Sequence, residues 1–506
     1  MPETNNEFAL GIDIGGSHIT ASVVNVHEKR VIAETMCKVH LDPKQEASAI
    51  LSVWTDCIRQ CLDRFGDHPL IGIGISMPGP ANYEKGISQL LGNDKYEKLF
   101  GLDLRNYVYL NFKDKVADST KIRFINDANS FLVGEAWIKG LKQANIVAIT
   151  LGTGIGSGFM RDGEMVTSGY GVPERGEVFN LPFKNRWSED YISTRWFLKA
   201  YHDRFGVKAK NVKEIADQAL ISSEVRGLFR EFGQNLGSFL APILHEFDAE
   251  SLIFGGNVSK AYPLFREAFE SCFNGKLPMI YFSDDTEGAS IVGAVKHMLT
   301  SHSDTGPKRL TKQFLMPIEE TKEIEKSGYD VYPSFELTSG LIETGYISLA
   351  EELSGHTQIC IDGYLGVDWE DFIQNLTLAL DTLNVPCVCF NMSSAYKNDV
   401  DIDAMVSPFL GGEDPVFGKL YPGDLDDFID TTKLHSIQPT KNCLSILYGT
   451  GSALSNWNSE LIYIDIPKNE IQYRSRAGGV SNLGMHHILP PKKQYKRMFF
   501  VDWPVL

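Results

Sequence analysis

The sequence predicts a multidomain α/β protein. Apolar, β-branched runs of strand length alternate with amphipathic helical patterns in both halves of the chain, which is typical of α/β folds. The chain has 506 residues, more than one hydrophobic core supports, and therefore indicates roughly three domains. With 43% hydrophobic residues, the composition is that of a globular protein and not of a disordered chain.

The first predicted element is a hairpin. Residues 7–14 (EFALGIDI) and 19–26 (ITASVVNV) lie on either side of GGSH, whose paired glycines suit a tight reversal. A helical pattern follows in SAILSVWTDCIRQCLDRF, and its apolar spacing predicts packing roles for Cys57 and Cys61. Further strands of this half are predicted at 70–76, 122–126, 146–151 and 252–255.

A linker is predicted after these elements. The stretch SHSDTGPKRLTK, around residues 300–312, combines Ser, Gly, Pro and charge without an apolar period. A second α/β unit follows it, with a helical pattern at 368–382. Its buried strands are predicted at 357–363, 386–391, 443–448 and 460–466.

Charge and composition exclude several classes of partner. The formal net charge is −17, which opposes binding to nucleic acid. No run of ~18 apolar residues occurs, so no membrane partner is expected. The eight cysteines are scattered without the spacing of a zinc ribbon or a disulfide framework. MPETNNEF has no basic region before an apolar stretch, and a cytoplasmic location is expected.

Three glycine-rich turns after apolar strands indicate nucleotide binding. Their backbone N–H groups are open to phosphate oxygens, and a carboxylate in the first turn can orient a hydrated Mg²⁺ ion. No G-x-x-x-x-G-K-[ST] occurs, so a P-loop would not hold the ATP. An ordinary hairpin and a plain helix entry are the alternatives for the first and third turns. The candidate residues for ATP and Mg²⁺ are Asp13, Gly15, Gly16, Ser17, Gly152, Thr153, Gly154, Gly255, Gly256 and Asn257.

The ordered turns DIGGS, LGTGIGSG and FGGN resemble those of the actin/hexokinase superfamily, a two-lobed ATPase fold of the ribonuclease H-like type. SMPGPAN, FINDANSFLVGEAWIKG, GEVFNLPF and SEDYISTR further resemble the motifs of the ROK family (repressors, open reading frames and kinases). The resemblance covers about residues 7–300. It implies a small lobe at 1–125 and a large lobe at 126–305. The linker predicted from composition is assigned to residues 306–328.

Asp127 in FINDAN is the catalytic residue that the ROK resemblance implies. A carboxylate mounted after a strand can accept the proton of a sugar hydroxyl during in-line phosphoryl transfer. The alternative is a helix N-cap before ANSFLVGEAW, since Asp is a favoured cap residue. The resemblance also implies that sugar hydroxyls are bound by Asn126, Glu177, Asn180, Glu189 and Gly79.

The sequence departs from the ROK pattern in the loop predicted to bind the sugar, residues 176–190, which is called the sugar loop below. The family usually has G-E-x-G-H, whose histidine binds zinc, and then C-x-C-G-x-x-G-C-x-E. Here Asn180 replaces the histidine and Trp187 replaces the last cysteine, with no other cysteine nearby. Asn and indole cannot replace imidazole and thiolates in a tetrahedral site, so no structural zinc is expected. Because this loop is changed, the sequence does not identify the sugar substrate.

Residues 329–506 are predicted to form a non-catalytic α/β domain that resembles a degenerate P-loop nucleotide kinase. The stretch IDGYLGVDW is a strand, a glycine-containing turn and a helix, but it lacks the Lys and Ser/Thr of a working P-loop. Later stretches resemble the part of certain bacterial class I mannose-6-phosphate isomerases that precedes the cupin domain. Arg474 and Arg476 are interpreted either as phosphate contacts or as part of a solvated helix face. The pair His486-His487 is not expected to bind a metal, because adjacent side chains point apart.

The resemblance implies an ATP-dependent hexokinase that phosphorylates the 6-hydroxyl of glucose, or of mannose or fructose, with Asp127 as general base. One alternative is a sugar sensor or regulator with weak or no turnover. The second alternative is a scaffold that docks a separate cupin-type sugar-phosphate isomerase. A homodimer is expected because ROK proteins are often dimers.

Overall fold

A computed structural model describes residues 7–92, 95–141, 143–275, 277–300, 309, 338–340, 342–412, 414, 416–485 and 487–506. The chain forms two compact units. Unit 1 comprises Met1–Asp42, Val53–Gly79 and Lys113–Ser301, and unit 2 comprises Pro43–Ser52, Pro80–Phe112 and His302–Leu506. Apart from Arg309, the predicted linker 306–328 lies outside the described residues.

The described residues form short and long strands in chain order, as follows: β1 Phe8–Ile14, β2 His18–Asn25, β3 Arg30–Val31, β4 Cys37–His40, β5 Ile73–Met77, β6 Ala81–Asn82, β7 Ile87–Ser88, β8 Ile122–Asn126, β9 Asn145–Leu151, β10 Ile155–Arg161, β11 Glu164–Met165, β12 Pro182–Phe183, β13 Arg186–Trp187, β14 Ser251–Gly255, β15 Met279–Phe282, β16 Gln358–Gly363, β17 Cys387–Asn391, β18 Leu444–Tyr448 and β19 Glu460–Ile464.

The α-helices of the described residues are α1 Ala47–Phe65, α2 Leu104–Phe112, α3 Asp127–Lys139, α4 Thr194–Phe205, α5 Val212–Ala219, α6 Ser223–Glu246, α7 Tyr262–Glu270, α8 Thr286–Thr300, α9 Tyr346–Leu353, α10 Trp369–Thr382, α11 Asp399–Val406, α12 Thr431–Ser436, α13 Lys468–Arg476, α14 Pro491–Arg497 and α15 Trp503–Val505. Among these residues, none of the helices combines the length and the apolarity needed to cross a membrane.

Unit 1 contains two sheets with the same strand arrangement. The first has the order β3-β2-β1-β5-β8, with β4 paired to β2, and the second has the order β11-β10-β9-β14-β15. In each sheet an antiparallel hairpin precedes parallel strands: β1 pairs antiparallel with β2 and parallel with β5, and β9 does the same with β10 and β14. This repeated order is the one expected of the predicted ribonuclease H-like fold.

Helices α3 and α8 pack backbone to backbone in unit 1. A Cβ atom at Gly134 would collide with the Ala289 carbonyl oxygen, and one at Gly293 would collide with the Ser130 carbonyl oxygen. The absence of side chains at these two positions allows the close approach. Because α3 begins at Asp127, this contact fixes the position of the predicted catalytic residue.

The core of the second sheet is rich in aromatic rings. Phe197, Phe229 and Phe232 are fully buried on α4 and α6, with ring centroids 4.6 and 4.8 Å apart for Phe197 against Phe232 and Phe229. Val178, next to the predicted sugar contact Glu177, is also fully buried in this cluster. The sugar loop is therefore anchored in a rigid core.

Unit 2 is built on a parallel sheet in the order β17-β18-β16-β19. Residues 80–112 belong to this unit, and Leu102 pairs antiparallel with Phe390 of β17. The Asp103 and Asn391 amides extend this pairing by donating to the carbonyls of Cys389 (2.8 Å) and Gly101 (2.7 Å). A segment that precedes β8 in sequence thus extends the C-terminal sheet at its edge.

The principal predicted strands are confirmed, with ends shifted by at most three residues. Cys57 and Cys61 lie on α1 and are fully buried, so the predicted packing roles are confirmed. The helix predicted at 368–382 is α10. Strand β10 was not predicted, because its sequence IGSGFMR contains two glycines that break the apolar pattern.

Candidate functional site

The first predicted phosphate turn joins β1 to β2. Asp13 lies near the end of β1, and its Oδ1 accepts a hydrogen bond from the Ser76 hydroxyl of β5 at 2.8 Å. Burial raises the pKa of Asp13 to about 7, against the lowering effect of the Ser76 hydrogen bond. The Gly15 amide donates to the His18 carbonyl at 2.9 Å. Gly15 and Gly16 are half-buried, and Ser17 is exposed.

Glu287 organises the side of this turn. Its carboxylate accepts hydrogen bonds from the Thr20 hydroxyl and from Lys38 Nζ, the latter at 2.8 Å to both oxygens. It also lies 3.3 Å from His18 Nε2. Although burial opposes it, these hydrogen bonds lower the pKa of Glu287 to about 2. Glu287 is therefore a fixed negative charge beside the turn.

Asp13, His18 and Glu287 form the group of potential metal ligands found among the described residues, with ligand atoms within 4.8 Å of one another. Oxygen ligands suit Mg²⁺, but imidazole does not, and the Glu287 carboxylate is already engaged by Lys38 and Thr20. Asp13 is thus the ligand of this group that fits Mg²⁺. The predicted role of Asp13 is chemically consistent with its environment.

The second predicted phosphate turn lies between β9 and β10. The Gly152 amide donates to the Gly154 carbonyl at 3.0 Å, and the Gly152 carbonyl accepts from the Thr194 amide at 2.9 Å. Thr153 is exposed at the tip. A Cβ atom at Gly154 would collide with the Glu189 carboxylate, so this turn and the sugar loop lie in direct contact.

The third predicted turn follows β14, the neighbour of β9. Gly256 has φ +82°, and a Cβ atom there would collide with the Leu151 backbone. The Gly256 amide donates to the Thr286 hydroxyl at 3.0 Å, which ties the turn to α8. Gly255 is buried and Asn257 is exposed. Since Gly255 pairs with Thr150, the second and third turns end neighbouring parallel strands at one sheet edge.

Asp127 is the first residue of α3, and the helix N-cap is Asn126. The Asn126 side chain accepts from the amides of Ala128 (3.0 Å) and Asn129 (3.3 Å). Asp127 Oδ1 accepts from the Ala128 amide at 2.9 Å. The Asp127 side chain is exposed to solvent, yet it lies among enough protein atoms for desolvation to raise its pKa. The alternative reading of Asp127 as the N-cap is therefore wrong.

Three of the predicted sugar contacts, Glu177, Asn180 and Glu189, lie on the loop after β11. Glu177 is half-buried, and Asn180 is exposed. Glu189 is half-buried and forms an ion pair with Arg195 at 2.5 Å. Gly79 follows β5 and is half-buried. These residues belong to unit 1, as do all the predicted ATP contacts.

The carboxylate of Asp127 interacts electrostatically with those of Asp13 and Glu177. Burial raises the pKa of Glu177, and the Asp127 charge adds to this rise, as does the charge of Glu174. The Asp127 charge likewise contributes to the raised pKa of Asp13. Asp127 therefore lies within electrostatic range of both the first phosphate turn and the sugar loop.

Sequence reasoning missed Ser76, Glu287, His18 and Arg195. Ser76 begins SMPGPAN, and Arg195 ends SEDYISTR, so both lay inside motifs that were already recognised. Glu287 carries no local signal, because it reaches Thr20 and Lys38 across more than 240 positions of sequence. Glu287 meets Thr20 and Lys38 only because α8 packs against the sheet that contains β1 and β2.

The charged residues singled out in the C-terminal half have structural contacts. Arg474 on α13 donates to Glu470 at 3.0 Å and to the Gly366 carbonyl at 2.8 Å. Arg476 is exposed at the end of the same helix. His487 lies 3.3 Å from Asp399 Oδ2, and His486 lies outside the described residues. Arg474 is thus held by protein acceptors.

Comparison with known families identifies the larger part of the chain. The model of the ROK family matches residues 9–297. The chain belongs to the ROK family. A second family model, described as a domain of unknown function (DUF8485), matches residues 345–506. The ROK match covers the two sheets of unit 1 and the site described above.

Relatives of the chain include sugar kinases. N-acetyl-D-glucosamine kinase of Haemophilus influenzae is 24% identical over 322 residues, which are 57% of this chain and 99% of the relative. Glucokinase of Thermotoga maritima is 28% identical over 277 residues, 50% of this chain and 82% of the relative. The structure of a ROK family glucokinase from Streptomyces griseus with glucose and AMPPNP is 21% identical, with a TM-score of 0.46 and coverage of 57% and 98%.

Proposed function

We propose that this ROK protein transfers the γ-phosphoryl group of ATP to the 6-hydroxyl of a hexose, with Asp127 as general base. The observation that carries the proposal is the position of Asp127 at the start of α3, within electrostatic range of Asp13 and of Glu177. Sugar kinase activity of relatives supports the reaction class. AMPPNP bound to a ROK glucokinase supports ATP as the donor.

Each group has a defined task in this reaction. Glu177, Glu189, Asn180, Asn126 and Gly79 orient the hexose through its hydroxyls. Asp127 accepts the proton of the 6-hydroxyl while the oxygen attacks the γ-phosphorus, and ADP leaves. A raised pKa makes the Asp127 carboxylate a stronger base than a free carboxylate.

The glycine turns hold the nucleotide. The turns at 15–17 and 152–154 present backbone N–H groups to the phosphates, and the turn at 255–257 takes the adenosine. When bound, Mg²⁺ neutralises charge on the phosphates. Asp13 is the residue that would hold it, with Ser76 fixing the orientation of its carboxylate.

Glucose is the first candidate substrate, and N-acetyl-D-glucosamine is included because relatives of both specificities are known. Mannose and fructose are included because the C-terminal half resembles part of a mannose-6-phosphate isomerase. The test is a coupled ADP-release assay over these sugars, with Asp127→Ala and with Asp203→Asn, an exposed aspartate of α4, as the control. The proposal requires sugar-stimulated ADP release that Asp127→Ala abolishes and Asp203→Asn preserves.

A sugar sensor is the competing outcome of the same assay. If a hexose binds in calorimetry but no sugar stimulates ADP release, the sensor reading replaces the kinase proposal. If Asp127→Ala retains full activity, the reaction stands and its base is another group.

For the C-terminal domain we propose a P-loop-kinase-like fold without nucleotide catalysis. Its strand order, with β16 between β18 and β19, supports the likeness. The turns after β16 and β18 hold an internal anion. Asp362 accepts from the amides of Gly363 (2.7 Å), Gly451 (2.9 Å) and Ala453 (2.9 Å). These N–H groups are not available to a phosphate, so one AMPPNP per chain is expected in calorimetry, and two would contradict the proposal.

A cupin-type sugar-phosphate isomerase as partner and a homodimer are further proposals that rest on resemblance. Light scattering of the purified chain, alone and mixed with such an isomerase, tests both. A monomeric mass that the isomerase does not change would contradict them.

A further inference from the structure

Two buried serines flank the residues that carry the predicted sugar contacts. Ser157 on β10 is 8% exposed, and Ser188 at the end of the sugar loop is fully buried. This loop, residues 176–190, is the one that lacks the histidine and cysteines of the zinc-binding ROK pattern. The question is what holds its backbone in place.

Ser157 binds the peptide groups on both sides of Glu177. Its hydroxyl donates to the Gly176 carbonyl at 2.6 Å and accepts from the Val178 amide at 3.1 Å. Since Val178 is fully buried beside it, the backbone of Glu177 is fixed from two directions. The side chain of Glu177 therefore starts from a backbone whose position is fixed.

Ser188 closes the other end of the loop. Its hydroxyl donates to the carbonyls of Val178 (2.5 Å) and Phe179 (2.9 Å), and its amide donates to the Leu181 carbonyl at 2.9 Å. The amide of the next residue, Glu189, donates to the Phe179 carbonyl at 3.3 Å. The two segments of the loop that carry Glu177 and Glu189 are thus joined to each other.

The tip of the loop is anchored on α6. Lys184 Nζ donates to Asn235 Oδ1 at 2.6 Å and lies 5.2 Å from the Tyr191 ring centroid. The Phe183 ring packs edge-on against Phe239 at 5.3 Å. These contacts fix the tip of the loop, which includes Phe183 and Lys184.

We propose that Ser157 and Ser188 are positioning residues that order the hexose-binding loop of this protein without a metal. The inference rests on the proposed kinase function. A loop that is fixed before binding saves the conformational entropy that a mobile loop would lose when the hexose binds. The hydroxyl clamps formed by Ser157 and Ser188 therefore act first on hexose affinity.

The kinetic test compares Ser157→Ala and Ser188→Ala with Ser445→Ala. Ser445 is a matched control in unit 2, because it is fully buried and its hydroxyl likewise bonds an amide and a carbonyl, those of Thr440. We expect each loop variant to raise KM for the hexose roughly tenfold, as expected for the loss of a buried hydroxyl that makes two hydrogen-bond contacts. KM for ATP should rise less than KM for the hexose, and Ser445→Ala should change neither constant.

Hydrogen exchange tests the clamps independently of activity. In the sugar-free protein, amides within 176–190 should exchange roughly tenfold faster in either loop variant than in the wild type. A zinc chelator should leave wild-type exchange in this loop unchanged. Exchange that is unchanged in both variants, or accelerated by the chelator, overturns the inference.

The two tests separate the two proposals. A wild type that phosphorylates no hexose refutes the proposed function, while exchange in 176–190 still decides on the clamps. Should an alanine variant fail to fold, Ser157→Cys and Ser188→Cys keep the size of the side chain with a weaker hydrogen-bonding group and allow the same comparison.

Discussion

Two neighbouring residues share the start of helix α3. Asn126 satisfies the amides of Ala128 and Asn129 as N-cap, while Asp127 is the first helical residue. The sequence alone left capping and catalysis as alternatives for Asp127, because Asn and Asp are both strong cap residues. Which of the two residues is the N-cap depends on where β8 ends, and a sequence pattern locates this end only to within a residue or two.

Replacing the cap residue tests this division at the level of stability. Asn126→Ala removes the acceptor of two amides and should lower the free energy of unfolding by about 1 kcal/mol. Asn126→Asp keeps an acceptor at the same position and should retain most of that stability. Urea unfolding measures both variants, and equal loss in both would contradict the capping role.

The ionisation of Asp13 should set the acid limb of activity. Because its pKa is raised to about 7, the carboxylate gains a proton as the pH falls through this value and loses its attraction for Mg²⁺. We expect kcat/KM to fall roughly tenfold per pH unit below this limb. The Ser76 hydrogen bond stabilises the ionised form, so Ser76→Ala should move the limb to higher pH.

Ser22→Ala is the control for this profile. Ser22 is a fully buried serine of the same sheet, and its hydroxyl contacts the Ile32 carbonyl and the Thr35 hydroxyl. Its removal should leave the midpoint unchanged. A midpoint that moves down in Ser76→Ala, or equally in both variants, would show that Asp13 does not control the acid limb.

Strands with continuous apolar runs were predictable, whereas β10 was not. β9 and β14 are rich in apolar residues and are buried throughout or nearly so, which is a strong signal for a central strand. β10 contains Gly156 and Gly158, and its conformation is fixed by pairing with β9 along seven residues. Tertiary pairing overrides weak local propensity here.

The glycines of β10 allow the hairpin to pack on the start of α3. A Cβ atom at Gly158 would lie 3.0 Å from Asn129 Oδ1 and 3.2 Å from the Ala128 carbonyl oxygen. Gly158→Ala should therefore displace the first turn of α3, lower kcat and cost about 1–3 kcal/mol of stability. Gly227→Ala on α6 is the control, since no atom lies within 4 Å of its added Cβ. Similar kcat values for the two variants would contradict the packing argument.

At the scale of the whole molecule, residues 80–112 and the C-terminal sheet fold as parts of unit 2. The predicted domain boundaries at 125, 305 and 328 remain predictions. The contacts that build unit 2 join residues more than 250 positions apart, such as Tyr448 with Asp103 and Asn106 with Thr377. A sequence pattern carries no signal for pairings of this separation, because each partner is locally unremarkable.

Tyr448 tests the internal cohesion of unit 2. Its hydroxyl donates to Asp103 at 2.9 Å and accepts from Asn391 Nδ2 at 2.9 Å. Tyr448→Phe leaves two polar groups short of a partner and should destabilise unit 2 by about 1–3 kcal/mol. Hydrogen exchange within 99–106 measures the effect, and Tyr495→Phe, at a 45% exposed position, is the control. No change in 99–106 would contradict the coupling.

Product formation in a single turnover tests most directly whether Asp127 removes the proton of the 6-hydroxyl. The wild type, mixed with excess hexose and limiting Mg²⁺-ATP, should form hexose 6-phosphate, identified by its phosphorus resonance. Asp127→Asn keeps the size of the side chain and should bind the hexose with similar affinity. We expect the turnover rate of this variant to fall ~10²- to 10⁴-fold. A variant that forms hexose 6-phosphate at the wild-type rate would contradict it.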